Sequence, residues 1–229
     1  MKIAIYTCIT GGYDDVKPPH YVEDDCDYYL ISDDITKLCE PYKWIDVDCV
    51  ISADTMSDKD KNRYCKMHPF DIFPQYDYSI YVDGSIQIIG NISENIKKTG
   101  TLGLAMHRHR CTDDVYEEGV FLSWLGVTSK DKVCDDICRY VKSGLPRHFG
   151  MFECGMIVTD LHNLKAHEIY GRWYDEYKIG AGRDQQALVY VLWTLGYRSE
   201  DIGDLGNGYN IFTNPEICWN RSIHYQLKK

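Results

Sequence analysis

The sequence predicts an α/β fold, a single domain over residues 1–229 with a mostly parallel central sheet flanked by helices. Three observations carry that prediction. Residues 2–9 form an unbroken apolar run, which fits a strand covered on both faces. Strand-like runs then alternate with helical stretches along the chain, the pattern that builds a parallel sheet. No repeat, low-complexity tract or linker interrupts them, and 229 residues with 44% hydrophobic and 13% aromatic content suffice for one large core.

Each element has its own signal. The first strand stops at Thr10-Gly11-Gly12-Tyr13-Asp14-Asp15. A second strand spans 27–32 and ends in Ser32-Asp33-Asp34, and Trp44 to Val47 predicts a third. Ser57 to Met67 is highly charged and reads as a helix ended by Pro69 and Pro74. Residues 76–85 read as a strand that stops at Asp83-Gly84-Ser85. Asn91 with Glu94 has the form of a capping box for a short helix. Leu102 to Met106 predicts another strand, and 112–125 and 129–142 are helical. Residues 153–159 predict a buried strand, with helices near 163–178 and 184–195 after it. Leu164, His167, Ile169, Tyr170, Trp173, Tyr174 and Tyr177 give the first of these an apolar stripe. Beyond Gly196 the tail, rich in Gly and Asn, is expected to be irregular from about residue 197.

Composition narrows the function. A net charge of −10 repels polyphosphate over most of the surface, so nucleic acid is excluded as a partner and any anionic ligand needs a local basic pocket. The ten cysteines contain no CxxC pair and read as free thiols of a reducing, cytoplasmic setting. The apolar start is too short for a membrane span and runs into glycines and acids, unlike a signal peptide. Nineteen tyrosines supply rings that suit sugars and bases, although most are expected to be half-buried core.

Ligands of open α/β sheets bind beyond the carboxyl ends of strands. Asp83 ends a strand and Gly84 leaves room beside it, so its carboxylate is a candidate to hold Mg²⁺ or Mn²⁺ against a diphosphate. The competing reading is a turn aspartate bonded to a local amide. Arg63 and Lys66, three apart, share a helix face and are the candidate diphosphate cations, with Lys61 a surface residue. His107-Arg108-His109-Arg110 either receive a phosphate or sugar acceptor or form an exposed turn, and Tyr116-Glu117-Glu118 are positioned to hydrogen-bond them. Asp184 opens a helix after Gly182-Arg183. It is a cap, the commoner role, or a carboxylate that orients a sugar hydroxyl or serves as general base. Glu153 is a second candidate acid, and His224 is a candidate metal ligand. No P-loop, dinucleotide-binding or nucleophile-elbow motif is present.

The pieces that resemble one family are Ile5 to Asp14, Ser32-Asp33-Asp34, Arg63 with Lys66, and Pro74 with Tyr76 to Ser85. His107-Arg108, Tyr116 to Glu118 and Arg183-Asp184-Gln185 complete the set. Over roughly residues 2–195 the chain resembles the glycosyltransferases of bacterial surface-polysaccharide clusters, a domain shared by plant Golgi proteins linked to mucilage and pectin synthesis. The resemblance implies a GT-A-like nucleotide-binding sandwich. It implies transfer of a sugar from a UDP- or other NDP-sugar to a saccharide or lipid-linked acceptor in surface polysaccharide or glycan synthesis. By the same likeness Thr10, Gly11, Gly12 and Tyr13, with Asp33 and Asp34, lie near the nucleoside, and Arg63 and Lys66 face the diphosphate. Asp83, with Gly84 and Ser85, holds the metal, and Asp184 and Gln185 sit near the transferring sugar. Ser85 stands where the metal-holding Asp-x-Asp element of the wider GT-A class has a second carboxylate, so the ion is loosely held, completed by His224 or dispensed with.

Two rival classes remain: a sugar-nucleotide nucleotidyltransferase and a non-catalytic nucleotide-sugar or glycan-binding module. The first expects a longer Gly-rich loop with Arg and Lys, and Thr10 to Asp14 contains no basic residue. The second predicts that Asp83→Ala leaves sugar affinity intact, whereas a transferase loses donor affinity and turnover.

Overall fold

In chain order the elements are strands β1 (Ile3–Ile9), β2 (Cys26–Ser32) and β3 (Lys43–Asp46), then helices α1 (Val47–Val50), α2 (Asp58–Met67) and α3 (Pro69–Ile72). Strands β4 (Tyr78–Val82), β5 (Ile86–Ile88) and β6 (Leu104–Arg108) follow, with helices α4 (Val115–Trp124) and α5 (Lys130–Lys142). Strand β7 (Phe152–Asp160), helices α6 (Leu164–Ile179) and α7 (Asp184–Thr194), and strands β8 (Gly203–Asn207) and β9 (Ile217–Trp219) complete the order. The structure, a computed structural model, describes residues 1–51, 55–207 and 214–219.

Among the described residues seven strands form one sheet in the order β3-β2-β1-β4-β7-β6-β8. Six run the same way and β7 alone is reversed, antiparallel to both β4 and β6. The unbroken apolar run of β1 is explained by cover on both faces. Ala4, Tyr6 and Cys8 join a core with Cys65 and Met67 of α2, Trp173 of α6 and Leu188 of α7. Ile3, Ile5 and Ile9 join the opposite core with Ile80, Val82, Ile86 and Ile217. The same alternation operates in β4, where Tyr81 lies on the helix side and Ile80 and Val82 on the other. Two-residue periodicity therefore sends Asp83 toward α2.

Three expectations are corrected. The tail beyond Gly196 is not irregular throughout: β8 pairs parallel with β6, and β9 pairs antiparallel with β5. Gly203 is there for close approach, since a Cβ on it would lie 1.8 Å from the Lys98 carbonyl oxygen. The capping signal at Asn91 is real, its side chain accepting from the Glu94 amide at 3.1 Å, but the helix it opens is a 3₁₀ helix over Ser93–Lys98. Leu164 is 83% exposed and His167 is also exposed, so the buried stripe of α6 runs through Ala166, Ile169, Tyr170, Trp173, Tyr174 and Tyr177. All ten cysteines are free thiols. Among the described residues no helix is long and apolar enough to cross a membrane.

Candidate active site at the carboxyl ends of β1 and β4

From β1 the chain moves outward to β2 and β3, then returns to β4 on the other side of β1. The strand order reverses between β1 and β4, and a crevice opens at such a switch point. Here it is a cleft of about 460 Å³ lined by the β1 loop, the solvent side of α2, residues 83–85, Val127 and Arg183. The β1 loop turns on Gly11 and Gly12, with φ of 60° and 61°. The Gly11 amide donates to Asp33 Oδ2 at 2.8 Å, and Thr10 Oγ1 donates to the Asp58 carbonyl at 2.6 Å. Asn62 Nδ2 donates to the Cys8 carbonyl at 2.6 Å, which straps α2 to β1. Thr10, Gly11, Tyr13, Arg63, Asp83, Gly84 and Ser85 line the cleft as a group. Asp33 pins the loop from outside. Asp34 caps a single 3₁₀ turn by accepting from the Thr36 amide, so it serves the backbone and does not line the cleft.

Beneath the cleft lies a buried charge cluster. Lys66 is 1% exposed, and its Nζ lies 2.7 Å from Asp184 Oδ2 and 3.7 Å from Asp83 Oδ1. The same ammonium stands 5.0 Å from the Tyr81 ring centroid, and Tyr81 donates its hydroxyl to Asp83 Oδ1 at 2.7 Å. Arg63 Nε is 3.4 Å from Asp184 Oδ2, and Trp173 Nε1 donates to the Asp184 carbonyl at 2.7 Å. Burial by itself would push the Asp184 carboxyl up, but the charges of Arg63, Lys66 and Arg183 outweigh it and hold the group well below the usual carboxylate range.

This geometry corrects two sequence expectations. Asp184 is not a helix cap: Arg183 occupies that position, and the Asp184 carboxylate turns to Lys66 instead. Lys66 does not line the cleft with Arg63; it sits behind Asp83, one turn deeper on α2.

Two cleft cations were not singled out by sequence reasoning. Lys59 Nζ donates to the Gly182 carbonyl at 3.0 Å, and its affinity for a proton is lowered by burial and by the neighbouring Arg63 and Arg183. Arg183 Nη2 donates to Gln185 Oε1 at 3.0 Å, while its buried Nε finds no hydrogen-bond partner among the described residues. Both residues sit inside stretches the sequence flagged, the charged helix and the Arg183-Asp184-Gln185 run, but no local pattern says which basic side chain faces a cleft.

Glu153 and Gln185 come together, Gln185 Nε2 donating to Glu153 Oε2 at 3.3 Å, with Arg110 Nε 3.7 Å from the other carboxylate oxygen. The basic run after β6 is not an open acceptor surface. His107 is 1% exposed, because the strand register directs it inward opposite Glu153. Arg108 donates to the Ser199 carbonyl at 3.2 Å and lies over the Phe152 ring, and His109 Nδ1 accepts from the Thr112 amide at 3.2 Å. Tyr116 and Glu117 instead border a second recess of about 460 Å³ on α4 with Val120, Phe121, Trp124 and Arg147. Phe121 and Trp124 stack at 6.2 Å and 27° and are 51% and 76% exposed.

The expected metal ligands are Asp83, Ser85 and His224; His224 lies outside the described residues. At Asp83 the described residues do not fit a bound ion. No three His, Cys, Asp or Glu ligand atoms gather there among them, and one carboxylate oxygen faces Lys66 and Tyr81. A set compatible with a divalent ion by residue type lies elsewhere, in Asp114, Glu117 and His148, with ligand atoms within 4.8 Å of one another. Arg147 pairs with both of its carboxylates.

The fold is similar to that of WbbM, a bifunctional glycosyltransferase in its apo form, with a TM-score of 0.55 and 12% identity over 89% of this chain. The chain spans 38% of that protein. It is also similar to apo mouse xyloside xylosyltransferase 1, with a TM-score of 0.48 and 11% identity over 86% of this chain and 82% of that one. A comparison with curated proteins finds no match. Residues 1–214 match the family described as TOD1/MUCI70, glycosyltransferase-like domain, and the chain belongs to it.

Proposed function

We propose that this chain, acting as one domain, transfers a glycosyl group from a nucleoside-diphosphate sugar to a saccharide acceptor, free or lipid-linked. The observation that carries the reading is the cleft at the β1/β4 switch point, where Lys59, Arg63 and Arg183 converge on a volume of about 460 Å³. That volume is in the range of small-molecule sites. The nucleoside rests on the Thr10 to Tyr13 loop, and the diphosphate meets the three cations. In the reaction the bond from the anomeric carbon to the diphosphate oxygen breaks, and the diphosphate leaves with the electron pair. The acceptor oxygen bonds to the anomeric carbon, and its proton passes to a carboxylate. Glu153 is the carboxylate we assign, linked through Gln185 to Arg183 of the cleft wall. The aromatic recess on α4 suits the acceptor, with Val127, three residues past Trp124, on the wall of the donor cleft. The ten unpaired thiols support a reducing, cytoplasmic setting.

A thermal-shift screen of UDP-, GDP-, ADP-, CDP- and TDP-sugars tests the reading, because a ligand of the native state raises the midpoint by mass action. At least one of these donors is expected to shift it. If none does, with Mn²⁺, with Mg²⁺ or with chelator, the transferase reading is wrong.

A further inference from the structure

We infer that this chain binds its nucleoside diphosphate without a metal ion, Lys66 neutralising Asp83 and Asp184 from behind while Lys59, Arg63 and Arg183 neutralise the diphosphate from the front. The inference rests on the nucleotide-sugar reading of the cleft and adds how that ligand's charge is met.

A divalent ion between Asp83 and a diphosphate would have to sit beside a fixed ammonium. Lys66 Nζ is 3.7 Å from Asp83 Oδ1, and Arg63 holds a second positive charge 3.4 Å from Asp184. Lys66 is 1% exposed and anchored to Asp184 at 2.7 Å, which holds its ammonium beside Asp83. Mg²⁺ takes about six oxygen ligands, usually one or two carboxylates with water and substrate phosphates supplying the rest, so the state of the one carboxylate here decides the fit. The described residues offer it one carboxylate that already accepts from Tyr81, followed by the Gly84 backbone and the neutral Ser85.

At the front of the site Lys59, Arg63 and Arg183 share the cleft wall with Asp14, Asp58 and Asp83, of which Asp14 pairs with Lys17 and Asp83 with Lys66. Among the described residues neither Lys59 nor Arg183 has a carboxylate within 4.0 Å. The buried Nε of Arg183 also lacks a hydrogen-bond partner there, while that of Arg63 faces Asp184 at 3.4 Å. Three positive charges therefore border one cleft, two of them on guanidinium forks that match phosphate oxygens. Held in place before the ligand arrives, they supply charge and directed donors to the leaving diphosphate, which is the service a divalent ion would otherwise provide.

Calorimetric titration of the full chain with UDP and GDP, in excess EDTA and separately in Mn²⁺ or Mg²⁺, tests this. The expected result is the same Kd in all three conditions. Lys59→Ala and Arg183→Ala, both on the cleft wall, should each weaken binding by roughly ten- to hundredfold in EDTA. Asp83→Asn should leave affinity unchanged or raise it, because it removes a negative charge near the phosphates. Binding that EDTA abolishes and Mn²⁺ restores, or that Asp83→Asn abolishes, overturns the inference and leaves the transferase reading standing. Absence of nucleotide binding under every condition overturns both.

Discussion

A buried lysine is costly unless the charges around it are matched. Lys66 is matched by Asp184 at 2.7 Å and Asp83 at 3.7 Å, and removing it leaves two carboxylates facing each other across the gap. Lys66→Met is expected to lower the unfolding free energy by about 3–5 kcal/mol, read by urea denaturation. The pH dependence follows from Asp184. Burial favours its neutral form, but Arg63, Lys66 and Arg183 prevail and its folded pKa is depressed. Its stabilising effect is then complete above the unfolded value near pH 4 and is lost as pH falls below it. The stability difference between the parent chain and Asp184→Asn should be flat above about pH 5 and shrink below about pH 4. A difference that grows on acidification would show that Asp184 is protonated in the folded chain. For the chemistry itself, Glu153→Gln is expected to lower kcat by about 10²–10⁴ while donor Kd stays unchanged; equal loss in Kd would make Glu153 a structural group.

At the scale of elements, the β1 loop and α2 are built as one unit. Gly11 and Gly12 share a left-handed backbone but differ in surroundings. A Cβ on Gly11 would lie 2.1 Å from Asp58 Oδ2, whereas one on Gly12 meets nothing within 4 Å. Gly12→Ala should therefore cost only the backbone strain, about 1–2 kcal/mol. Gly11→Ala should cost more and weaken nucleotide binding too, because α2 must shift to clear the methyl group; calorimetry of both variants decides it. On α4 the exposed Trp124 contributes little to the core. Trp124→Ala is expected to raise acceptor KM with Tm and donor Kd unchanged, and a fall in Tm would mean that the ring supports the fold rather than the acceptor.

At the scale of the whole molecule, strand order places the cleft and the tail closes the sheet. Ile217 is fully buried against Ile86 and Ile88, so Ile217→Ala should cost about 2–4 kcal/mol in urea denaturation, where an irregular tail would predict almost nothing. The strands and helices nearest the cleft, β1, β4, α2 and α7, were legible as sequence because apolar periodicity is a local property. So were the residues that line it after β1 and β4, because a strand that stops at glycine or at Asp83-Gly84 announces a turn at the sheet edge. Strand neighbours, the reversal of β7 and the tail strands were not legible, since Gly203 to Asn207 has no strand-forming pattern and is held in place by pairing with β6. Depth was hidden for the same reason. Lys66 looked like the equal of Arg63, and its burial is set by a carboxylate 118 residues away. Sequence alone determined that an acid and a basic helix face meet beyond a strand end. Only tertiary packing decided which cations face the cleft and which one lies beneath it, because burial and charge pairing are fixed by neighbours that are distant along the chain.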